Sequence, residues 1–307
     1  MTKLLIFGAT TPAGDAFLRQ AMTLQPGLQP SPELSVAGRR PPPDHPGLPF
    51  LPCELSSEAA AASAWPDRSQ ATGPLVVVSF APIWHLAPFL NRQLAAQPPP
   101  GLRGVVACSS SSVLTKRFAS NGFDRALVGR LQRAEAELQA SCKRHGLACQ
   151  ILQPTLIYGR SGSYADRNLS RLATALGRYP WLPVPDPSGL RQPIHCAQLA
   201  AAALHLALAQ LRDDQGLDLP SHLPIGGDDT LSYRAMLERL APATGRTNRL
   251  LPVPARLIYA LAAPLLLVSP KRFEAVLRMG ADLCGFLPVH ELLGRPPAAF
   301  PAGPLAP

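Results

Sequence analysis

The chain has 307 residues, 47% of them hydrophobic and 16% charged. That suits a folded protein large enough for one big α/β domain, or for a cofactor domain with a smaller companion. The net charge of +9 comes from arginines and from Lys3, Lys116, Lys143 and Lys271, spread along the sequence without a basic stripe. A nucleic-acid partner is therefore not expected, and a solvated surface with a mild preference for anions is.

The apolar run Leu4–Phe7 predicts a buried strand, broken at Gly8 and followed by a helix over Asp15–Leu24. Strand, glycine turn and helix can seat a pyrophosphate against backbone N–H groups at a helix N-terminus. Further strands are predicted at Leu34–Ala37, Phe50–Leu51, Leu75–Ser79, Val105–Cys108 and Cys149–Leu152. Helices are expected at Glu58–Ala64, around Trp84–Ala96, and over Arg125–His145, the last with Arg and Glu on its outer face. Alternating βα units with continuous apolar strands predict a Rossmann-type doubly wound parallel sheet, with helices on both faces.

Beyond Tyr158 the rhythm breaks into a segment rich in Gly, Pro and Arg. Helices are expected at Ala197–Leu211 and Tyr233–Thr244, with a short strand near Leu223–Ile225. This divides the chain into a dinucleotide-binding region, 1–158, and a mixed substrate-facing region, 159–307, that partly packs back on the first. Proline clusters such as Pro41–Pro43 and Pro98–Pro100 read as stiff loops. The apolar stretch Leu257–Val268 is too short to span a bilayer, so a buried helix is expected. A membrane-surface helix flanked by Arg256, Lys271 and Arg272 is the alternative. The six cysteines form no metal-type spacing and suit buried free thiols. With a strand immediately after Met1 and no leader-like segment, a cytoplasmic protein is expected.

Cofactor choice follows from the end of the second strand, Val36-Ala-Gly-Arg-Arg40. It lacks the carboxylate that would hold the ribose hydroxyls of NAD, whereas two adjacent guanidiniums suit a 2′-phosphate. NADP(H) is expected over NAD(H), the alternative being that Arg39 and Arg40 are ordinary loop charges.

Several loose motifs in one order carry a resemblance. They are Gly8-Ala-Thr-Thr-Pro-Ala-Gly14, Cys53-Glu54-Leu55, Ser109-Ser-Ser-Ser112, Gln153-Pro-Thr-Leu-Ile-Tyr-Gly159, Gln192-Pro-Ile-His195 and Ile225-Gly-Gly227. Together they resemble the extended short-chain dehydrogenase/reductase superfamily, in its epimerase/dehydratase branch. The resemblance assigns Gly8, Thr10, Thr11, Pro12, Ala13, Gly14, Glu54, Pro154 and Thr155 to the cofactor. Thr11 stands where the family has its middle glycine. Matching Arg133-Ala-Glu-Ala-Glu137 to the family's long helix puts Arg133 at the catalytic lysine, against the cofactor, and Gly129 at the catalytic tyrosine. No tyrosine occurs before Tyr158, so the usual tyrosine–lysine acid–base pair is missing.

Ser110 and Ser111 are candidates to polarise a carbonyl, with loop capping as the alternative. Lys116 is a candidate substitute acid, with an exposed loop lysine as the alternative. Tyr158, Arg160, Arg191 and His195 are candidates for the substrate side, as is Arg167. Two functions stay open. One is an NADP(H)-dependent oxidoreductase or epimerase acting on a small carbonyl, alcohol or nucleotide-sugar-like substrate with a non-standard acid. The other is a catalytically silent NADP(H) binder that acts through a protein partner. A homodimer is compatible with either, and no metal is expected.

Overall fold

A computed structural model describes residues 2–24, 32–57, 65, 73–166, 168–212, 219–244 and 249–302. The first half runs β1 (Lys3–Phe7), α1 (Pro12–Met22), β2 (Glu33–Gly38), β3 (Phe50–Pro52), β4 (Leu75–Ser79), α2 (Ile83–Ala96), β5 (Leu102–Cys108), α3 (Ser112–Thr115), α4 (Gly122–Arg144) and β6 (Ala148–Pro154). Short pieces follow: β7 (Ile157–Tyr158), β8 (Arg160–Ser161), β9 (Tyr164–Ala165), α5 (Asn168–Arg178), β10 (Trp181–Asp186), β11 (Leu190–Arg191) and β12 (Ile194–His195). Then come α6 (Cys196–Arg212), β13 (His222–Gly226), β14 (Leu231–Ser232), α7 (Tyr233–Leu240), β15 (Arg249–Pro254), α8 (Ala255–Ala262), α9 (Leu265–Val268), α10 (Pro270–Leu277), β16 (Leu287–Pro288) and α11 (Val289–Leu293). The helix expected at Glu58–Ala64 lies outside the described residues.

The central sheet has eight parallel strands in the order β16-β13-β6-β5-β4-β1-β2-β3. Side chains alternate across it because successive strand residues point to opposite faces. Leu4 and Ile6 join Phe17, Leu18 and α6 on one side. Leu5 and Phe7 join Leu86, Phe89, Leu131 and Leu138 on the other. The chain winds outward through β2 and β3, then returns past β1 to start β4. Strand order therefore reverses between β1 and β4, and the crevice outside their carboxyl ends is where such sheets bind ligands.

A third core gathers Tyr158, Leu169, Leu176, Val184, Met236, Leu237 and Phe300. Meanwhile β13 and β16 extend the central sheet beyond β6, and α6 packs on α1. The strand read near Leu223–Ile225 is thus a sheet member, continuing the parallel order.

Two expectations about helices fail. The apolar stretch Leu257–Val268 is broken at Ala263–Pro264 into α8 and α9, and it lies on the surface: Leu261 is 74% exposed, Leu267 92% and Val268 81%. Apolar composition alone could not say whether anything packs over it. On α4, Glu135 is turned inward and buried. Its carboxylate accepts hydrogen bonds from Ser109 Oγ and, at 2.9 Å, from Gln153 Nε2, which offset the cost of leaving water.

Candidate active site

The loop after β1 is built by its own hydrogen bonds. Gly8 has a positive φ of 75°. The Thr11 N–H donates to Gly8 O at 3.1 Å, and the Thr11 hydroxyl donates to the same oxygen at 2.8 Å. That hydroxyl also accepts from the Gly14 N–H at 3.1 Å, capping α1. The side chain that replaces the middle glycine is therefore turned back onto the loop. Pro12 opens the helix without an N–H, where none is needed. A Cβ on Gly14 would sit 2.2 Å from Gly8 O, so strand and helix approach as closely as only glycine permits. Thr10 is exposed at the tip and Ala13 is buried beneath it.

Beside this loop, Arg39 and Arg40 follow β2, the strand paired with β1, and both are exposed. The segment just after them is anchored through Asp15, which is fully buried in the first turn of α1. Its carboxylate accepts from Arg19 Nε at 2.7 Å and Ser161 Oγ at 2.5 Å, and pairs with His45 Nε2 at 2.8 Å. Asp44 accepts from the Ser163 N–H and hydroxyl, which hold it below the usual carboxylate range. A carboxylate in a first helical turn also favours the positive end of the dipole. Glu54 lies exposed after β3, its Oε1 accepting from Ser56.

The serine run continues from β5. Ser109 and Ser111 donate backbone N–H groups to Leu152 and Pro154 carbonyls, binding the run to the end of β6. Ser110 Oγ meets Ser112 Oγ at 3.1 Å and accepts from the Ser112 N–H, a loop-capping geometry. Ser111 is buried. Thr155 donates its hydroxyl to Gln192 O and its N–H to Ile225 O, so the Pro154–Thr155 turn joins three elements.

The remaining candidates are dispersed. Arg133 faces solvent from α4 with Nε on Gly129 O of its own helix. The positions four apart that turn toward the sheet are instead Leu127 and Leu131. Lys116 Nζ is bound to Asp124 at 3.0 Å. Asp124 is fully buried and also takes Arg278 Nη1 at 2.9 Å and Asn121 Nδ2 at 3.0 Å. Burial works to raise its pKa, but the bonds from Asn121, Lys116 and Arg278 outweigh that and hold it at about 2.

Tyr158 is buried between His195 and Phe300, and its hydroxyl accepts from the Ala302 N–H at 2.7 Å. Burial pushes its phenol well above the ordinary range. His195 packs over Gly159, where a Cβ would lie 2.2 Å from Nε2, and its Nδ1 accepts from the Ala197 N–H. Arg191 is buried, spends its guanidinium on the carbonyls of Leu190, Ala281 and Arg278, and stacks on Tyr233. Arg160 is exposed and bonded to Gly162 O. Arg167 lies outside the described residues. Among those residues no group of His, Cys, Asp or Glu is placed to hold a metal ion.

Solved structures share this architecture. An NADPH-dependent quinone oxidoreductase of Escherichia coli, in complex with NADPH, is 17% identical, with 96% of each chain covered and a TM-score of 0.58. A Pseudomonas aeruginosa protein named RMD, also with NADPH, is 12% identical over 98% of this chain and 96% of that one, with a TM-score of 0.62. A UDP-glucuronic acid 4-epimerase of Bacillus cereus with NAD is 13% identical over 82% of this chain and 88% of that one, with a TM-score of 0.57. The fold is theirs. At these identities the likeness extends no further than the fold, and no family model and no curated protein matches the chain.

Proposed function

We propose that the chain is an NADP(H)-dependent oxidoreductase of the extended short-chain dehydrogenase/reductase type. The observation that carries this reading is the self-capped Gly8–Gly14 loop at the switch point, with Arg39 and Arg40 exposed at the end of the adjacent strand. The N-terminus of α1 would face the diphosphate, and the two guanidiniums would hold the 2′-phosphate by charge-assisted bonds. Glu54 would border the adenine, while Pro154 and Thr155 would border the nicotinamide. When bound, that group supplies a hydride.

The chain's own groups restrict what can accept it. Tyr158 is buried with its hydroxyl bonded to backbone, Lys116 is held by Asp124, and Arg133 faces solvent. None is presented as a proton donor. Ser110 and Ser111 can orient a carbonyl but are poor acids. Reduction of a simple ketone makes a strongly basic alkoxide, which needs an acid beside it. Reduction of a quinone makes a phenolate, whose conjugate acid has a pKa near that of tyrosine, about 10, and which water can protonate. A quinone or a similarly electron-poor carbonyl is thus the substrate class we assign. The region 159–307 would enclose it, with His195 and Tyr158 as packing and positioning groups.

Purified protein given NADPH should oxidise it with a small benzoquinone and show no turnover with unactivated ketones. Comparable ketone turnover would reveal a protein acid and overturn the substrate assignment. Binding of NADPH without turnover on any acceptor would favour the silent binder, a reading supported by the leucines at the inward positions of α4.

A further inference from the structure

The broken helix pair α8–α9 presents Leu257, Leu261, Leu266, Leu267 and Val268 to solvent. Exposed Phe118 and Phe123 lie on the loop leading into α4 and its first turn, and Phe123 is tied to α10 by Lys271, whose Nζ sits 3.4 Å from the ring centroid. An exposed apolar surface of this kind marks an interaction site.

Its chemistry is one-sided. From Ala255 to Phe273 the sequence has no carboxylate, yet it contains Arg256, Lys271 and Arg272. Arg256, Lys271 and Arg272 are exposed at the borders of the leucines, and Arg117 stacks on Phe118. The acids beside α10, Asp124 and Glu274, are buried and turned inward, while the exposed Asp186 lies on β10, paired with Pro254 ahead of α8. Asp124 holds Lys116 and Arg278, and Glu274 accepts from the Ser120 and Asn121 N–H groups. A second copy of the chain would bring cationic rims together. An acyl-chain boundary beneath anionic headgroups satisfies both the leucines and the cations.

We propose that this face seats the protein on the surface of an anionic lipid bilayer, with the α8–α9 leucines entering the headgroup–acyl boundary. No described helix is long and apolar enough to cross a membrane, so the contact is peripheral. The anchoring of α10 to the Ser120–Asp124 segment places the lipid face beside the loop that follows the serine run, a suitable approach for an apolar acceptor. Lipid binding itself does not rest on the cofactor reading.

The test is co-sedimentation of the full-length protein with vesicles of phosphatidylcholine alone and of an equal mixture with phosphatidylglycerol. The protein should pellet with the mixed vesicles and bind the neutral ones far more weakly, since each basic side chain near an anionic surface contributes about fivefold. The double variant Leu261→Glu/Leu267→Glu and the double variant Arg256→Glu/Arg272→Glu should each bind the mixed vesicles roughly tenfold or more weakly. Both should keep the wild-type circular dichroism and NADPH affinity, because these side chains are exposed. Failure of the wild type to pellet with mixed vesicles, or leucine variants that bind as well as wild type, would overturn the proposal. So would a stable dimer that the leucine variant converts to monomer, since the face would then belong to a second copy.

Discussion

Gly14→Ala is expected to destabilise the protein by about 3 kcal/mol and to abolish measurable NADPH binding, because a methyl group has nowhere to go. Its Cβ would stand 2.2 Å from Gly8 O and 2.9 Å from Ala9 Cα, both backbone atoms of the turn that, in the proposed reading, would approach the diphosphate. Relief requires α1 to move away from β1. That would break the Thr11 cap and expose the contacts of Phe17 and Leu18. Gly129→Ala is the matched control. A Cβ there meets nothing within 4 Å, so removing a glycine from the middle of α4 should stabilise the protein by about 0.5–1 kcal/mol. Chemical denaturation and fluorescence titration of NADPH on both variants measure the difference. Equal behaviour of the two would mean that the close strand–helix approach is not what the loop requires.

Asp124→Ala is the second large effect, about 2–4 kcal/mol of destabilisation, set by two cations losing their shared buried partner. Lys116 and Arg278 retain some solvent access at 22% side-chain exposure each, which keeps the cost below that of a fully enclosed charge. The loss also loosens the contact between α10 and the start of α4. The sign of the pH dependence follows from a folded pKa of about 2, below the ordinary carboxylate value. Stability from Asp124 is complete above the unfolded pKa near 4 and drains away as pH falls through about 2. Denaturant midpoints followed over that acid window should fall in the wild type, and fall less in Asp124→Asn. A wild-type curve that stays flat through the window would contradict this role.

How much of this was legible in the sequence differs by element. The strands and long helices of the first half could be read because buried parallel strands form unbroken apolar runs and α4 keeps helical spacing at Leu127, Leu131, Ala134 and Leu138. The Gly8–Gly14 turn was readable for the same local reason: its hydrogen bonds close within seven residues. Long-range pairing was not. Nothing near Asp15 in sequence announces His45 or Ser161, and nothing near Asp124 announces Arg278. Glu135 looked like a member of the charged outer face, because its partners Ser109 and Gln153 come from other elements. The α8–α9 leucines failed in the opposite direction. An apolar run predicts burial only if some other surface arrives to cover it, and among the described residues none does.

The central claim is a dinucleotide with a 2′-phosphate held by Arg39 and Arg40. Isothermal titration of NADPH and NADH into the wild type and into Arg39→Ala/Arg40→Ala tests it most directly. The account predicts that NADPH binds the wild type roughly tenfold or more tightly than NADH, with the double variant losing that preference while keeping its NADH affinity, because hydrogen bonds to a charged group contribute about 1.5–3 kcal/mol. Equal affinity for the two cofactors in the wild type, or a double variant that still prefers NADPH, would contradict it.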